Sequence, residues 1–246
     1  QQYGDYGFSF EIALAYNRNA RGTLAENFRF AADSIMSNSS YWGKRRQIRR
    51  PLFITGGACD TTEAQLYRTM ADSLLPFDAF LVISGMEEEL YETADVSYPV
   101  LMPTGGTWDT EGTEWGRGHL TGSYTDVNAN TVAGDLLFGA GTVWPGYDDR
   151  QWRNGSGNFM DRQDTLVYTG TWNLVTSYSG ELSMPWCIIT SWNNFNEGTH
   201  IEPSENYGYL YTAETRDQAR KFKSSLPADS VGSGDYGLRV PLHILQ

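Results

Sequence analysis

Residues Trp186 to Ser204 read WCIITSWNNFNEGTHIEPS. The opening part, Trp186 to Ser191, is an apolar run rich in Ile and Trp, the composition of a strand buried on both faces. Asn193, Asn194, Asn196, Glu197, Thr199, His200 and Glu202 follow at once. A buried strand that ends in amides, carboxylates and aromatic rings is the usual build of an α/β active site, whose chemistry sits on loops at the carboxyl ends of parallel strands. The bland alternative is a polar loop with an incidental carboxylate.

Upstream of this stretch the pattern alternates. Phe8 to Tyr16 (FSFEIALAY), Pro51 to Thr55, Phe77 to Ile83, Ser97 to Pro103 and Ala140 to Trp144 read as strands. Between them helices are predicted. One follows Thr23, boxed by Glu26, with Leu24, Phe28, Ala31, Ala32 and Ile35 on its apolar face. Another spans Thr62 to about Leu74 with Leu66, Met70 and Leu74 at helical spacing, and a short acidic one lies at Glu87 to Glu92. Asp126 to Phe138 is a further helix, and Asp161 to Ser179 turns Leu166, Tyr168, Trp172 and Val175 inward. YGYLY at Tyr207 to Tyr211 reads as a strand-like piece before a last helix, Thr212 to Ser224. Strands and helices in alternation mean a parallel sheet with right-handed crossovers. Residues 1–225 therefore read as one large α/β domain, and the tail 226–246, ending in VPLHIL, packs back on it or leads onward.

A chain of 246 residues, 40% hydrophobic and 20% charged, can bury a full core and has no apolar run near ~18 residues, the length that spans a membrane. The net charge of −12 disfavours nucleic acid and anionic lipid, which need clustered Lys and Arg. The basic run KRRQIRR (Lys44 to Arg50) reads as a solvated face before a strand. Cys59 and Cys187, in or just after strands, read as buried thiols and not as a disulfide or metal site. Asn38 and Asn154 stand in N-x-S sequons, relevant only in a eukaryotic secretory context. The opening QQYGDYG lies almost directly before a strand, as a processed or trimmed chain would begin.

Aromatic residues reach 14%, with 8 Trp and 15 Tyr, many in Gly- and Asn-rich loops. Flat, half-polar rings beside amides and carboxylates suit a sugar, whose C–H face stacks while its hydroxyls need donors and acceptors. Trp144 and Trp186 sit in strands and read as core. Trp108, Trp115, Tyr147, Trp152 and Trp192 lie in or beside loops and are the candidate sugar platforms. His200 reads as an acid, a base or a hydrogen-bonded scaffold residue. No His and Cys cluster has metal-ligand spacing, and no cofactor is expected.

The motifs VWPGYDDR (Val143 to Arg150), Arg162 ahead of Tyr168 and Trp172, ITSWNNFNEGTHIEPS and YGYLY together resemble glycoside hydrolase family 99 and its endo-α-mannosidase-like relatives. The resemblance extends weakly back through PLFITGG and FSFEIALAYN, so it covers most of residues 7 to 224. It implies a (β/α)8 TIM barrel with these motifs at its carboxyl-terminal face, trimmed of its first βα units in this chain. It also implies a glycan substrate, an α-linked mannoside or related polysaccharide, and a secreted or secretory-pathway setting. A cytoplasmic polysaccharide-biosynthesis protein of the same fold is the alternative.

In the family two Glu residues of this motif are catalytic, one as general acid and base, the other deprotonating the sugar 2-hydroxyl. Here Glu197 matches the first role, and Asn194 stands where the second Glu belongs. An amide can hydrogen-bond a hydroxyl but cannot take its proton near neutral pH, and losing a general base costs about 10²- to 10⁴-fold in rate. Asp148 and Asp149 are the leading replacements, with Asp109, Glu111, Glu202 and Glu11 behind them, although Asp148, Asp149 and Arg150 also read as a turn that holds itself together. Carboxylates about 5 to 5.5 Å apart would suit retention and about 6.5 to 9.5 Å inversion. Arg162, Asn193, His200 and Glu202 are further candidates for holding substrate. The rival reading is a catalytically silent glycan-binding or structural protein on the same barrel.

Overall fold

The computed structural model describes residues 14–17, 23–36, 50–55, 59–75, 79–85, 88–101, 107–108, 116–179, 184–226 and 243–244. Its strands are β1 (Leu14–Asn17), β2 (Arg50–Thr55), β3 (Ala79–Ser84), β4 (Val96–Tyr98), β5 (Phe138–Val143), β6 (Tyr147–Asp148), β7 (Phe159–Met160), β8 (Trp186–Ile189) and β9 (His243–Ile244). The helices are α1 (Leu24–Phe30), which runs on as a π-helix over Ala31–Met36, α2 (Thr61–Leu74), α3 (Glu88–Tyr91), α4 (Arg117–Ala133), α5 (Leu166–Ser179) and α6 (Leu210–Ser225). Among the described residues no helix is long and apolar enough to cross a membrane.

Seven strands form one sheet in the order β1-β2-β3-β4-β5-β8-β9, every pairing parallel. The chain thus adds each strand beside the last, with a helix crossing between most of them. Where the helices pack is visible from strand periodicity. Leu81 and Ile83 face one way with Cys187 and Ile189, in a core shared with Phe28 of α1, Ala64 of α2, Tyr124 of α4, Trp172 of α5 and Phe222 of α6. The alternating residues Val82, Val96, Tyr98, Phe138, Ala140, Trp186 and Ile188 form a second cluster made of strand residues alone. Burying each of these large apolar side chains contributes about 1.5–3 kcal/mol. Among the described residues the helices thus cover one face, whereas a doubly wound sheet has helices on both. Gly141 shows how tightly they press, since a Cβ there would stand 1.9 Å from Val175 Cγ2 of α5.

Among the described residues the sheet does not close into a ring; β1 and β9 are its margins. The trimmed (β/α)8 barrel expected from sequence is, among the described residues, an open, sequential, seven-stranded parallel sheet. The six strands read from sequence are all present, and both cysteines are buried without a disulfide.

Local details differ from the sequence reading or add to it. The helix expected over Asp126 to Phe138 starts at Arg117 and ends at Gly134, whose left-handed backbone (φ 92) caps it and frees Phe138 for β5. YGYLY is not strand-like: Gly208 takes φ 51 in a turn bridged by Ser204, and Tyr211 lies on the buried face of α6 with Thr215, Gln218 and Phe222. On α2 the buried side chains are Ala64, Tyr67 and Ala71, leaving Leu66 exposed. The β6–β7 antiparallel hairpin was not foreseen, because two-residue strands carry no periodicity to read.

Candidate functional site

The polar half of the opening stretch follows the carboxyl end of β8, after a cis Thr190–Ser191 peptide. It is a compact loop that satisfies itself. Ser191 N donates to Thr199 O at 3.0 Å, Ile201 N to Ser191 O at 3.0 Å, and Thr199 N to Asn194 O at 3.2 Å. Ser191 Oγ lies 2.9 Å from Thr199 Oγ1 and accepts from Asn194 N at 3.0 Å. Asn194 and Glu197 then bond reciprocally. Asn194 Nδ2 donates to Glu197 Oε2 at 2.7 Å, and Glu197 N donates to Asn194 Oδ1 at 3.3 Å. The residue that departs from the family pattern thus orients the one that keeps it. Gly198 has φ 59, and a Cβ there would meet Asp148 N at 3.0 Å, so only glycine lets β6 approach closely. That approach is bonded, Asp148 N donating to Glu197 O at 2.8 Å.

Burial holds the Glu197 carboxyl above the usual range, and the negative charge of Asp149 adds to this; the Asn194 hydrogen bond and Arg153 pull the other way.

The adjacent carboxylates of the hairpin have separate environments. Asp149 is 0% exposed and fully used, accepting from Tyr147 Oη at 3.2 Å, from Asn158 N at 2.6 Å and from Arg153 Nε. Gly157 leaves it room, since a Cβ there would lie 2.1 Å from Asp149 Oδ1. Asp149 therefore cannot touch a substrate; it acts on Glu197 and Tyr147 through its field. Asp148 is partly exposed and accepts from Arg150 Nε at 2.8 Å and Nη2 at 2.9 Å, which holds its carboxyl below the usual range. Burial, Glu197 and Asp149 together raise the Tyr147 phenol, so it stays a hydroxyl.

Arg162 is a scaffold residue. It is 8% exposed, and its Nη2 donates to Gly198 O at 2.8 Å and His200 O at 2.9 Å, pinning the backbone around Glu197. Tyr207 and Tyr211, four residues apart, flank the guanidinium at 4.3 and 4.5 Å. Nη1 has no hydrogen-bond partner among the described residues. Burial and this cation lower the His200 pKa to about 4, so its imidazole is neutral. His200 Nδ1 lies 3.4 Å from Arg162 Nη2, and a guanidinium only donates, which leaves the ring proton on Nε2.

Of the candidate platforms, Trp108 is 1% exposed and packs edge-on to Trp144, so it belongs to the core and offers no face to a ligand. Tyr147 is also buried, and Trp192 is half-buried against the core, its carbonyl accepting from Ile201 N and Glu202 N. Asn193 and Glu202 are half-buried beside it, Asn193 O accepting from Phe195 N. Trp152 is 59% exposed, as a platform requires. Trp115, with Asp109, Glu111 and Glu11, lies outside the described residues. Among the described residues no group of three or more His, Cys, Asp and Glu side chains has metal-binding geometry.

A cleft of about 680 Å³ opens between the β6–β7 hairpin and the β8–α6 loop. Trp152, Phe159, Phe195 and Tyr207 line it with Arg162 and His200, and so do Asn196 and Gly198 on either side of Glu197. Phe159, Phe195 and Tyr207 were missed as site residues. Phe195, inside the opening motif, and Tyr207, the first residue of YGYLY, carried signals that could have flagged them; Phe159 carried none.

Fold and site together define a parallel α/β protein whose helices cover one sheet face and whose half-buried carboxylate follows a late strand. No family model matches the chain, and no curated protein matches it. Among solved structures it is similar to the GH99 endo-alpha-mannosidase from Bacteroides thetaiotaomicron, with a TM-score of 0.62 and 18% identity over 89% of this chain and 67% of that one. The structure of that mannosidase in complex with bis-tris-propane gives a TM-score of 0.63 at 16% identity, covering 87% and 70% of the two chains. A glycoside hydrolase-like protein follows at a TM-score of 0.52 and 17% identity, covering 80% and 60%. The likeness is one of fold, and it agrees with the resemblance carried by the sequence motifs.

Proposed function

We propose that this protein is a glycoside hydrolase acting on an α-linked mannoside or related polysaccharide, with Glu197 as general acid and base. The observation that carries this reading is the Glu197 carboxyl itself: after a late strand, half-buried, oriented by Asn194 Nδ2 and raised in proton affinity. A raised pKa keeps a carboxyl protonated closer to neutral pH, as a group that protonates a departing glycosidic oxygen needs. The mannosidase neighbours support the substrate class. On this reading the sequential sheet is the larger part of a (β/α)8 barrel, and the site faces an extracellular or secretory-pathway glycan.

The second carboxylate differs from the family scheme. Asn194 cannot deprotonate a 2-hydroxyl, and Asp149 is enclosed, so Asp148 is the hairpin carboxylate with surface open to the cleft. Its carboxyl is held ionised by Arg150, which suits a nucleophile or an electrostatic stabiliser better than a base.

Asn194 favours one second reading, a silent glycan-binding protein in which the amide clamps Glu197. Assaying reducing ends released from α-mannans and α-glucans, beside calorimetric binding to the same panel, separates the two. Cleavage that Glu197→Gln abolishes supports the hydrolase; turnover at the parent rate in that variant rejects it. Binding without cleavage, with hydrolysis appearing in Asn194→Glu, establishes the silent protein.

A further inference from the structure

Three exposed aromatic side chains on one protein are ordinary. Three around a single cleft, each with one face already held, are not. Phe195 stacks on the neutral His200 ring at 4.2 Å and 26°, and remains 53% exposed. The Arg150 guanidinium lies 3.7 Å from the centroid of Phe159, which is 40% exposed. Arg153 sits 5.2 Å from the Trp152 ring, which is 59% exposed. All three rings line the 680 Å³ cleft.

A ring held from behind by a neighbour has lost most of its rotamer freedom before any ligand arrives, so stacking costs it little further entropy. The arginines doing the holding are themselves anchored, Arg150 by Asp148 and Arg153 by the buried Asp149. Between the rings the lining carries amides and carboxylates, Gln151, Asn196, Asn206, Asp148 and Asp161, beside Arg162 and His200. Apolar faces alternating with hydroxyl partners match a hexose, which has one C–H face and a rim of hydroxyls. The Asp148 charge is answered by Arg150 and His200 is neutral, which fits an uncharged ligand.

The cleft lies beside the Glu197 carboxyl. Asn196 and Gly198 line it, but the intervening Glu197 side chain does not; that carboxyl is bonded to Asn194.

We infer that this cleft is a saccharide subsite beside the Glu197 carboxyl, in which Trp152, Phe195 and Phe159 hold neutral α-linked hexose units of the same glycan. The inference rests on the glycan-acting reading above and adds where a chain beyond the reacting sugar is held.

The test uses the Glu197→Gln protein, so that a bound ligand is not consumed, titrated with α-1,2- and α-1,6-linked mannose oligosaccharides and a matched α-glucan series. Trp152→Ala and Phe195→Ala are each expected to weaken binding of the longer oligosaccharides about 3- to 10-fold, the range of one aromatic stack, and the double variant more. Phe195→Tyr, which keeps the ring, is expected to restore most of the affinity. Circular dichroism of each variant confirms that it is folded. Unchanged affinity in the folded double variant, or no binding to any member of the panel by the Glu197→Gln protein, overturns the subsite. Cleavage by the parent separates the two readings. A parent that cleaves while the ring variants bind normally leaves the hydrolase standing and the subsite refuted. A parent that never cleaves, with ring variants that lose binding, does the reverse.

Discussion

The sheet carries a cleft at each end, and they are nearly the same size. The one at the amino-terminal ends of the strands measures about 700 Å³, the one beside Glu197 about 680 Å³. Their walls differ. At the amino-terminal end the lining contains no aromatic residue, and its paired charges serve the fold: Asp95 accepts from Leu81 N at 2.8 Å and pairs with Arg68, which also donates to Thr93 O at 3.1 Å. At the other end, three rings stand exposed and the carboxylates differ, Asp149 enclosed and Glu197 half-buried with its proton affinity raised. Volume alone therefore says nothing about a site; what matters is whether polar groups are consumed by the scaffold and whether apolar faces are left open.

The largest expected effect separates the ends most sharply. Glu197→Gln should lower turnover by at least ~10²-fold, measured by reducing-end release, while stability changes little. Asp149→Ala should do the opposite kind of damage. It removes a buried acceptor from Arg153, Asn158 N and Tyr147, and with Arg153 half exposed the cost should be about 2–3 kcal/mol in urea unfolding. At the far end, Asp95→Ala should cost about 1–2 kcal/mol and leave glycan binding and turnover at parent levels. If it weakened binding, the division of labour between the clefts would be wrong.

Two smaller effects concern protons. Glu197 must be protonated to act as acid, so turnover should fall on the alkaline side as pH rises through its raised pKa. Asn194 Nδ2 stabilises the ionised form; Asn194→Ala should therefore move that alkaline limb to higher pH. A limb that moves down instead would show that Asn194 acts otherwise than through this hydrogen bond. Folding lowers the His200 pKa from an ordinary value of 6.5 to about 4. Its contribution to stability is thus intact above the upper value and is lost as pH falls through the window. Titration by NMR should find the imidazole neutral at pH 5.5, and His200→Gln should lose less stability on acidification than the parent.

Local signals were read where a short motif is self-contained. The Thr23–Glu26 capping box forms as spaced, Glu26 N donating to Thr23 Oγ1 at 3.3 Å and Thr23 N to Glu26 Oε2 at 3.1 Å. The run Trp186 to Ile189 is a strand buried on both faces. Misreadings arose where tertiary contacts override local preference. The aromatic run YGYLY has strand propensity, yet Tyr207 and Tyr211 are needed four apart, on a turn and a helix, to clasp Arg162. Trp108 sat in a Gly-rich loop, but Gly170 leaves space for its indole, 3.0 Å from where a Cβ would stand, and that drew it into the core.

By itself the sequence determined the succession of strands and helices, the parallel sheet and the position of Glu197 after a late buried strand, because periodicity and capping act over a few residues. The tertiary structure decided which face the helices cover, which of two adjacent aspartates is enclosed, and which rings remain open. Those outcomes depend on partners far apart in the chain, as Arg162 shows by bonding Gly198 and His200 across 36 and 38 residues. No local pattern encodes such distances. Exposure and pKa follow from them alone.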